Sequence, residues 1–198
     1  MISTVAQKLL AKIMWTTGCI RRGDFTLKSG AKSDLYIDCR RLLTAPLGAA
    51  TTGNMMLTAV AASEPNYKSA VGGPGVGGAL LVGAMAAMAA IAVDYSYPWT
   101  FFAVRLRSKD HGPADNLIAG SLEAGSKVAL VDDVLTSGSS LLEAADIVRS
   151  LGSQVVVAHV IVDRHEGGHR ALALAGIPVY SLLTKADLLA HDPALEKT

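Results

Sequence analysis

The sequence predicts an α/β fold: a mostly parallel sheet flanked by helices, entered through a small N-terminal segment. Three observations predict it. From about residue 69 onward, short apolar runs alternate with helical segments, the order that builds parallel sheets. The run 155–162 is apolar and mostly β-branched, as a strand buried on both faces must be. Two of the runs end in loops rich in glycine or hydroxyl residues, where α/β folds place their ligands.

The elements follow in order. Val5, Leu9 and Ile13 recur at helical spacing behind Ser3 and Thr4 as caps, predicting a first helix. A short β-like region follows at 25–30 and 34–38. A second helix runs from Pro46 to about Ser63. Strands fall at 69–72, 99–104, 128–132, 155–162 and 178–183. Helices start at Gly78, span 140–151, and lie near Ala171. Residues 1–45 read as the N-terminal segment and 46–198 as one compact α/β core. No repeat or low-complexity linker interrupts the chain.

Composition narrows the function. At about 150 residues per domain, 198 residues make roughly one domain, with a core that needs no staples. Charged residues are 18%, against a usual share of about 25%. Lys and Arg total 18 and Asp and Glu 17, a net charge of +1. A groove for nucleic acid or an anionic membrane surface calls for a larger basic excess. Cys19 and Cys39 are too few for a disulfide scaffold and too far apart for a metal knuckle, which predicts buried or half-buried thiols in a reducing cytosol. The uncharged stretch 69–93 is long enough to span a bilayer. Its glycines, from Gly72 to Gly78, break a helix, so a strand, a loop and a buried helix fit it better.

Three motifs could carry chemistry. In 128–140 an apolar strand ends in Asp132 and Asp133, followed by Thr136, Ser137, Gly138, Ser139 and Ser140 at a helix start. Small residues let backbone N–H groups converge on an anion at the positive end of a helix, and the hydroxyls add donors. That is a cradle for a phosphate monoester. The acids repel phosphate, so ribose hydroxyls or magnesium are their expected partners. The second motif, Gly73-Pro74-Gly75-Val76-Gly77-Gly78, matches G-x-G-x-x-G, with Asp94 about 20 residues on. Three readings stay open for it: a dinucleotide fingerprint, a structural turn, or a pyrophosphate cradle partnering the first motif. The third, His165-Glu166-Gly167-Gly168-His169, spells H-E-x-x-H, but its two glycines each cost a helix about 1 kcal/mol, so a loop is expected rather than a zinc site. A cationic loop, 105–116, contains Arg105, Lys109 and His111 and has the composition of a lid over a polyanion.

Together these residues resemble the type I phosphoribosyltransferases, and within them the orotate phosphoribosyltransferase family. The 132–140 stretch resembles the signature that binds phosphoribosyl diphosphate. Residues 25–30 and 33–40 resemble the family's N-terminal hood, Lys109-Asp110-His111-Gly112 its catalytic loop, and Asp163-Arg164 with Glu166-Gly167 its base-site loop. The resemblance runs from about Gly23 to Gly168. It implies that Asp132 and Asp133 hold the ribose and that Thr136 to Ser140 wrap the 5′-phosphate. It further implies that Gly75, Val76 and Gly77 line the pyrophosphate, and that Arg105, Lys109 and His111 reach the leaving group, usually in the partner subunit's site. Lys28 and Arg164 face the base, and Tyr36 of the hood joins the substrate-binding set. Magnesium rides on substrate oxygens rather than on a protein cage. Two positions depart from the commoner pattern: Leu106 and Gly77 stand where many members carry Lys.

The expected activity is phosphoribosyl transfer from phosphoribosyl diphosphate to orotate in a cytoplasmic homodimer that shares its 105–116 loop. A phosphoribosyltransferase for another base, or a regulator that binds phosphoribosyl diphosphate without turnover, stays open.

Overall fold

In the computed structural model, which describes residues 3–26, 32–63, 70–92, 99–106 and 117–195, the N-terminal part contributes α1 (Thr4–Thr16), β1 (Ile20–Thr26), β2 (Lys32–Ile37), α2 (Cys39–Leu43) and α3 (Pro46–Ser63). There follow β3 (Ala70–Pro74), α4 (Gly75–Ile91), β4 (Thr100–Val104), β5 (Ile118–Gly120) and β6 (Lys127–Leu135). The chain ends with α5 (Ser139–Ser150), β7 (Gln154–Asp163), α6 (Gly168–Leu174), β8 (Val179–Thr184) and α7 (Lys185–Ala190). The central sheet has the order β5-β4-β3-β6-β7-β8. All its pairings are parallel except that of β5 with β4. β1 and β2 form a separate antiparallel hairpin.

Two apolar layers sandwich the sheet. One packs α1, α2, α3, α4 and α7 on Val71, Ala129, Val157 and Ile161; the other packs α5 and α6 on Phe102, Leu130, Ala158 and Val160. The alternation of side chains along each strand supplies both layers from the same residues' neighbours.

Ser3 caps α1, accepting from Ala6 N–H at 3.3 Å. The buried face of α1 is not the expected one. Leu10, Ala11, Ile13 and Met14 pack inward, while Val5 and Leu9 are 77% and 52% exposed. The 10-11-13-14 stripe is wider and more apolar than the 5-9-13 row, so it takes the core. Trp15 Nε1 donates to Leu188 O at 3.0 Å and Gln7 Nε2 to Leu182 O at 2.9 Å, which fasten α1 to the far edge of the core. Arg22 pairs with the buried Asp192 and fastens β1 to the C-terminal segment. Cys19 and Cys39 are both free and fully buried, with Sγ atoms 3.8 Å apart. Hydrogen bonding to Cys19, then burial, pushes the Cys39 thiol up.

Within α3, Thr52 is fully buried and its Oγ1 has no hydrogen-bond partner among the described residues. Burying an unsatisfied hydroxyl costs about 1–3 kcal/mol. Thr52→Val keeps the shape and removes that cost. The expected outcome is a rise in melting temperature of a few degrees, measured by calorimetry, at about 2–4 °C per kcal/mol for a chain of this size.

Candidate active site

After β3 the chain builds β4 and β5 on one side of the sheet, then returns to build β6, β7 and β8 on the other. β3 and β6 are therefore neighbours at the point where the strand order reverses, and a crevice opens at their carboxyl ends. The two loops that leave these strands are the glycine motif and the hydroxyl motif. The fold brings together what about 50 residues separate in sequence.

β6 runs further than expected. It stays paired with β7 through Leu135, opposite Asp163, so Asp132 and Asp133 lie inside the strand rather than at its end. Successive residues of a strand point to opposite faces, and the two acids divide accordingly. Asp132 lines a small concavity with Thr136, Gly138, Ser139 and Ser140. Asp133 turns to the glycine motif: a Cβ placed on Gly77 would lie 2.4 Å from its Cγ and Oδ2. No side chain fits there while Asp133 holds this position. Each carboxylate also accepts from a backbone N–H at 2.8 Å, Asp132 from Asp133 and Asp133 from Val134. Asp132 is 7% exposed; burial, then the adjacent Asp133 charge, raises its pKa well above the usual carboxylate range.

The hydroxyl loop is short and braced. Gly138 takes φ +81°, a conformation open to glycine, and turns the chain into α5. Thr136 and Ser137 are exposed, and Ser137 Oγ donates to Ser139 Oγ at 3.3 Å. Thr136 O accepts from Gly168 N at 2.8 Å, and Leu135 O accepts from Arg164 N at 3.1 Å. Gly167 and Gly168 therefore carry α6 onto the loop. His165, in the left-handed region at φ +56°, sits in the β7–α6 turn, as the loop reading expected, whereas Gly168 and His169 already belong to α6.

The glycine motif opens α4 earlier than expected, at Gly75 instead of Gly78, because Pro74 already ends β3 and serves as N-cap. Gly75, Val76 and Gly77 form its first turn, with Gly75 and Val76 exposed. Arg105 is exposed at the end of β4, and its N–H donates to Leu117 O at 2.7 Å. Leu106 Cδ1 lies 4.0 Å from where a Cβ on Gly75 would be. An apolar side chain thus stands beside the glycine turn. Arg164 has a buried side chain whose Nε donates to Glu166 Oε1 at 2.8 Å. Tyr36 is half-buried in the hairpin, its ring tilted 37° to that of Phe25 at 5.3 Å, with the Arg21 guanidinium 4.9 Å above it. Arg21 was not singled out in the sequence; its place depends on the hairpin register that sets it opposite Tyr36. Lys28, Asp94, Lys109 and His111 lie outside the described residues.

Residues 57–175 match the model of the phosphoribosyl transferase domain. The orotate phosphoribosyltransferase of Rhodopirellula baltica is 35% identical over 192 residues, covering 94% of this chain and 97% of that one. The chain belongs to the orotate phosphoribosyltransferase family. The crystal structure of the Aeropyrum pernix orotate phosphoribosyltransferase superposes with a TM-score of 0.74 at 33% identity, covering 96% of this chain and 99% of that one. The Mycobacterium tuberculosis orotate phosphoribosyltransferase in complex with 5-phospho-α-D-ribosyl 1-diphosphate superposes with a TM-score of 0.71 at 30% identity, covering 92% and 98%. Family membership removes the dinucleotide reading of the glycine motif.

The buried acid makes a stability prediction. A raised native pKa means that the folded state holds its proton where the unfolded chain has lost it. Wild-type stability therefore declines as pH rises above about 3.9, the unfolded value, and the decline is complete above the native pKa. Asp132→Asn is spared it. Its melting temperature should exceed that of wild type at neutral pH, and the two should converge below about pH 4, as thermal melts across pH will register.

Proposed function

We propose that the protein transfers the 5-phosphoribosyl group of phosphoribosyl diphosphate to N1 of orotate, giving orotidine 5′-monophosphate and pyrophosphate, a step of pyrimidine synthesis. The observation that carries this is the meeting of a glycine turn and a hydroxyl turn at the β3–β6 crevice with an acid facing each. A substrate with a phosphate at one end and a diphosphate at the other needs two anion cradles with a ribose between them.

Thr136, Ser137, Gly138, Ser139 and Ser140 hold the 5′-phosphate at the N-terminus of α5. Gly75, Val76 and Gly77 present the first turn of α4 to the pyrophosphate. Asp132 and Asp133 accept from the ribose hydroxyls and ease the positive charge that grows on the ring as the C1–O bond breaks. Arg105, with Lys109 and His111, meets the charge that grows on the leaving pyrophosphate, while a closed loop keeps water from the ribosyl cation. Lys28, Tyr36 and Arg164 face the base. N1 of orotate gives up its proton readily, so little base catalysis is required.

Magnesium fits this donor set only in part. Asp132 and Asp133 are oxygen donors of the kind it takes, but they face opposite sides of one strand and cannot enclose an ion that demands octahedral geometry. Diphosphate and ribose oxygens would hold it, with these acids adjoining. When bound, it neutralises charge on the leaving diphosphate. We place the enzyme in the cytosol as a homodimer that shares its 105–116 loop; among the described residues no helix is long and apolar enough to cross a membrane.

A base panel with phosphoribosyl diphosphate and magnesium tests the reading. Orotate should be used at least about a hundredfold better than uracil, the worth of one charge-assisted contact to its carboxylate. Equal use of the two bases would overturn the assignment.

Leu106 makes a second prediction. Leu106→Lys sets a cation beside the Gly75 turn and should lower KM for phosphoribosyl diphosphate severalfold, at roughly 1 kcal/mol for one partly exposed charge.

A third concerns the shared loop. Lys109→Ala and Asp133→Asn should each be nearly inactive. In a mixed dimer one site receives both lesions and the other neither, so mixing should restore up to about half of wild-type activity per heterodimer. No recovery after verified subunit exchange would place the loop in cis.

A further inference from the structure

Two thiols take no part in the mechanism and lie at the feet of the β1–β2 hairpin. Cys19 is the residue before β1, and Cys39 is the first residue of α2, just after β2. The pair therefore brackets the whole hairpin. Both side chains are fully buried, in one apolar cluster with Leu10, Met14, Leu35 and Leu42. Cys19 Sγ donates to Cys39 Sγ at 3.8 Å. The main chain sets this approach. Cys19 O accepts from Asp38 N at 2.8 Å, next to the Ile20–Ile37 pair that opens the ladder. Cys19 N donates to Met14 O at 3.0 Å, which ties the foot of β1 to α1.

The surroundings narrow what two such thiols can do. Among the described residues no group of three or more His, Cys, Asp or Glu could hold a metal ion. Bond formation between the sulfurs asks little of the backbone. A disulfide has an S–S length of about 2.05 Å, so the sulfurs must approach by less than about 2 Å, within reach of side-chain rotation. An oxidant gains access when the hairpin opens. β1 and β2 form a sheet of their own, apart from the six-stranded one, and a two-stranded hairpin is marginal by itself. Its register is irregular between Arg22 and Phe25. Its ion pairs to the C-terminal part, Arg22 with Asp192 and Asp34 with Lys185, each use an exposed side chain of the hairpin and add little. Local opening of the hairpin is thus easier than global unfolding, and it withdraws Leu35 from the cluster that buries the thiols.

We propose that Cys19 and Cys39 are a redox modification site, which forms a reversible disulfide across the feet of the hairpin when a peroxide is present. Two S–H bonds break and one S–S bond forms. The thiols give up two electrons and two protons, and hydrogen peroxide takes both to become two molecules of water. In the reduced chain the hairpin opens locally; in the oxidised chain its two feet are fixed to each other. The bond is independent of the transfer reaction, and its test needs no activity assay.

The full chain, free of reductant, is treated with hydrogen peroxide. Remaining thiols are alkylated in denaturant, and the chain is cut with trypsin. Cys19 falls in the tryptic peptide 13–21 and Cys39 in 33–40. The two should be recovered as one cross-linked species that dithiothreitol separates. Hydrogen exchange of the β1–β2 amides should be about tenfold slower in the oxidised chain than in the reduced one. In Cys39→Ala, peroxide should leave that exchange unchanged. The cross-link is read in the wild-type chain, so it stands whether or not the variant folds. Thiols recovered in full after the hairpin amides have exchanged, or a cross-link only between two chains, would overturn the proposal. So would sulfinic acid at either cysteine in place of the cross-link, or hairpin exchange that is the same with and without the bond.

Discussion

The Asp133 carboxylate rests on the one residue that has no side chain to offer it, Gly77. Much of the site depends on that contact. It requires β3 and β6 to be neighbours, β6 to extend through the acids, and α4 to begin at Gly75 so that its first turn passes close by. Any side chain at 77 meets a carboxylate unless Asp133 turns away. The glycine at 77 is therefore a matter of packing in this chain and not of charge alone.

The two acids are adjacent in sequence yet serve different surroundings. Asp132 is buried against the hydroxyl loop, where its charge is disfavoured. Asp133 is half-buried at the mouth of the glycine turn. One strand thereby offers an acid to each of the two turns, and the strand's pleat sets their separation. A loop could not fix that geometry as firmly, which is a physical reason for β6 to run past both acids to Leu135.

Much of this was legible locally. Pro46 and Ser63 bound α3 as read, because a proline is favoured in a helix's first turn and the segment between carries no charged residue. The run 155–162 proved buried on both faces. The hydroxyl loop was legible because strand, small residues and helix start are contiguous. Other features were not. The α1 face was misjudged because Val5 and Leu9 share a helical row that the tertiary fold leaves in water. The short elements α2, β5 and α7 carry too few residues for a periodicity. The meeting of Gly77 with Asp133 has no local signal, since strand order alone creates it.

The backbone bonds from Gly168 to Thr136 and from Arg164 to Leu135 join the hydroxyl turn and the β7–α6 turn into one mechanical piece. Neither can be reshaped alone. On the proposed reading of the site, a redesign of the β7–α6 turn to admit a different base would strain the cradle for the donor substrate. That reading tethers base specificity to donor affinity, and leaves divergence toward new acceptors to the detached hairpin, where Tyr36 and Arg21 sit on a sheet of their own.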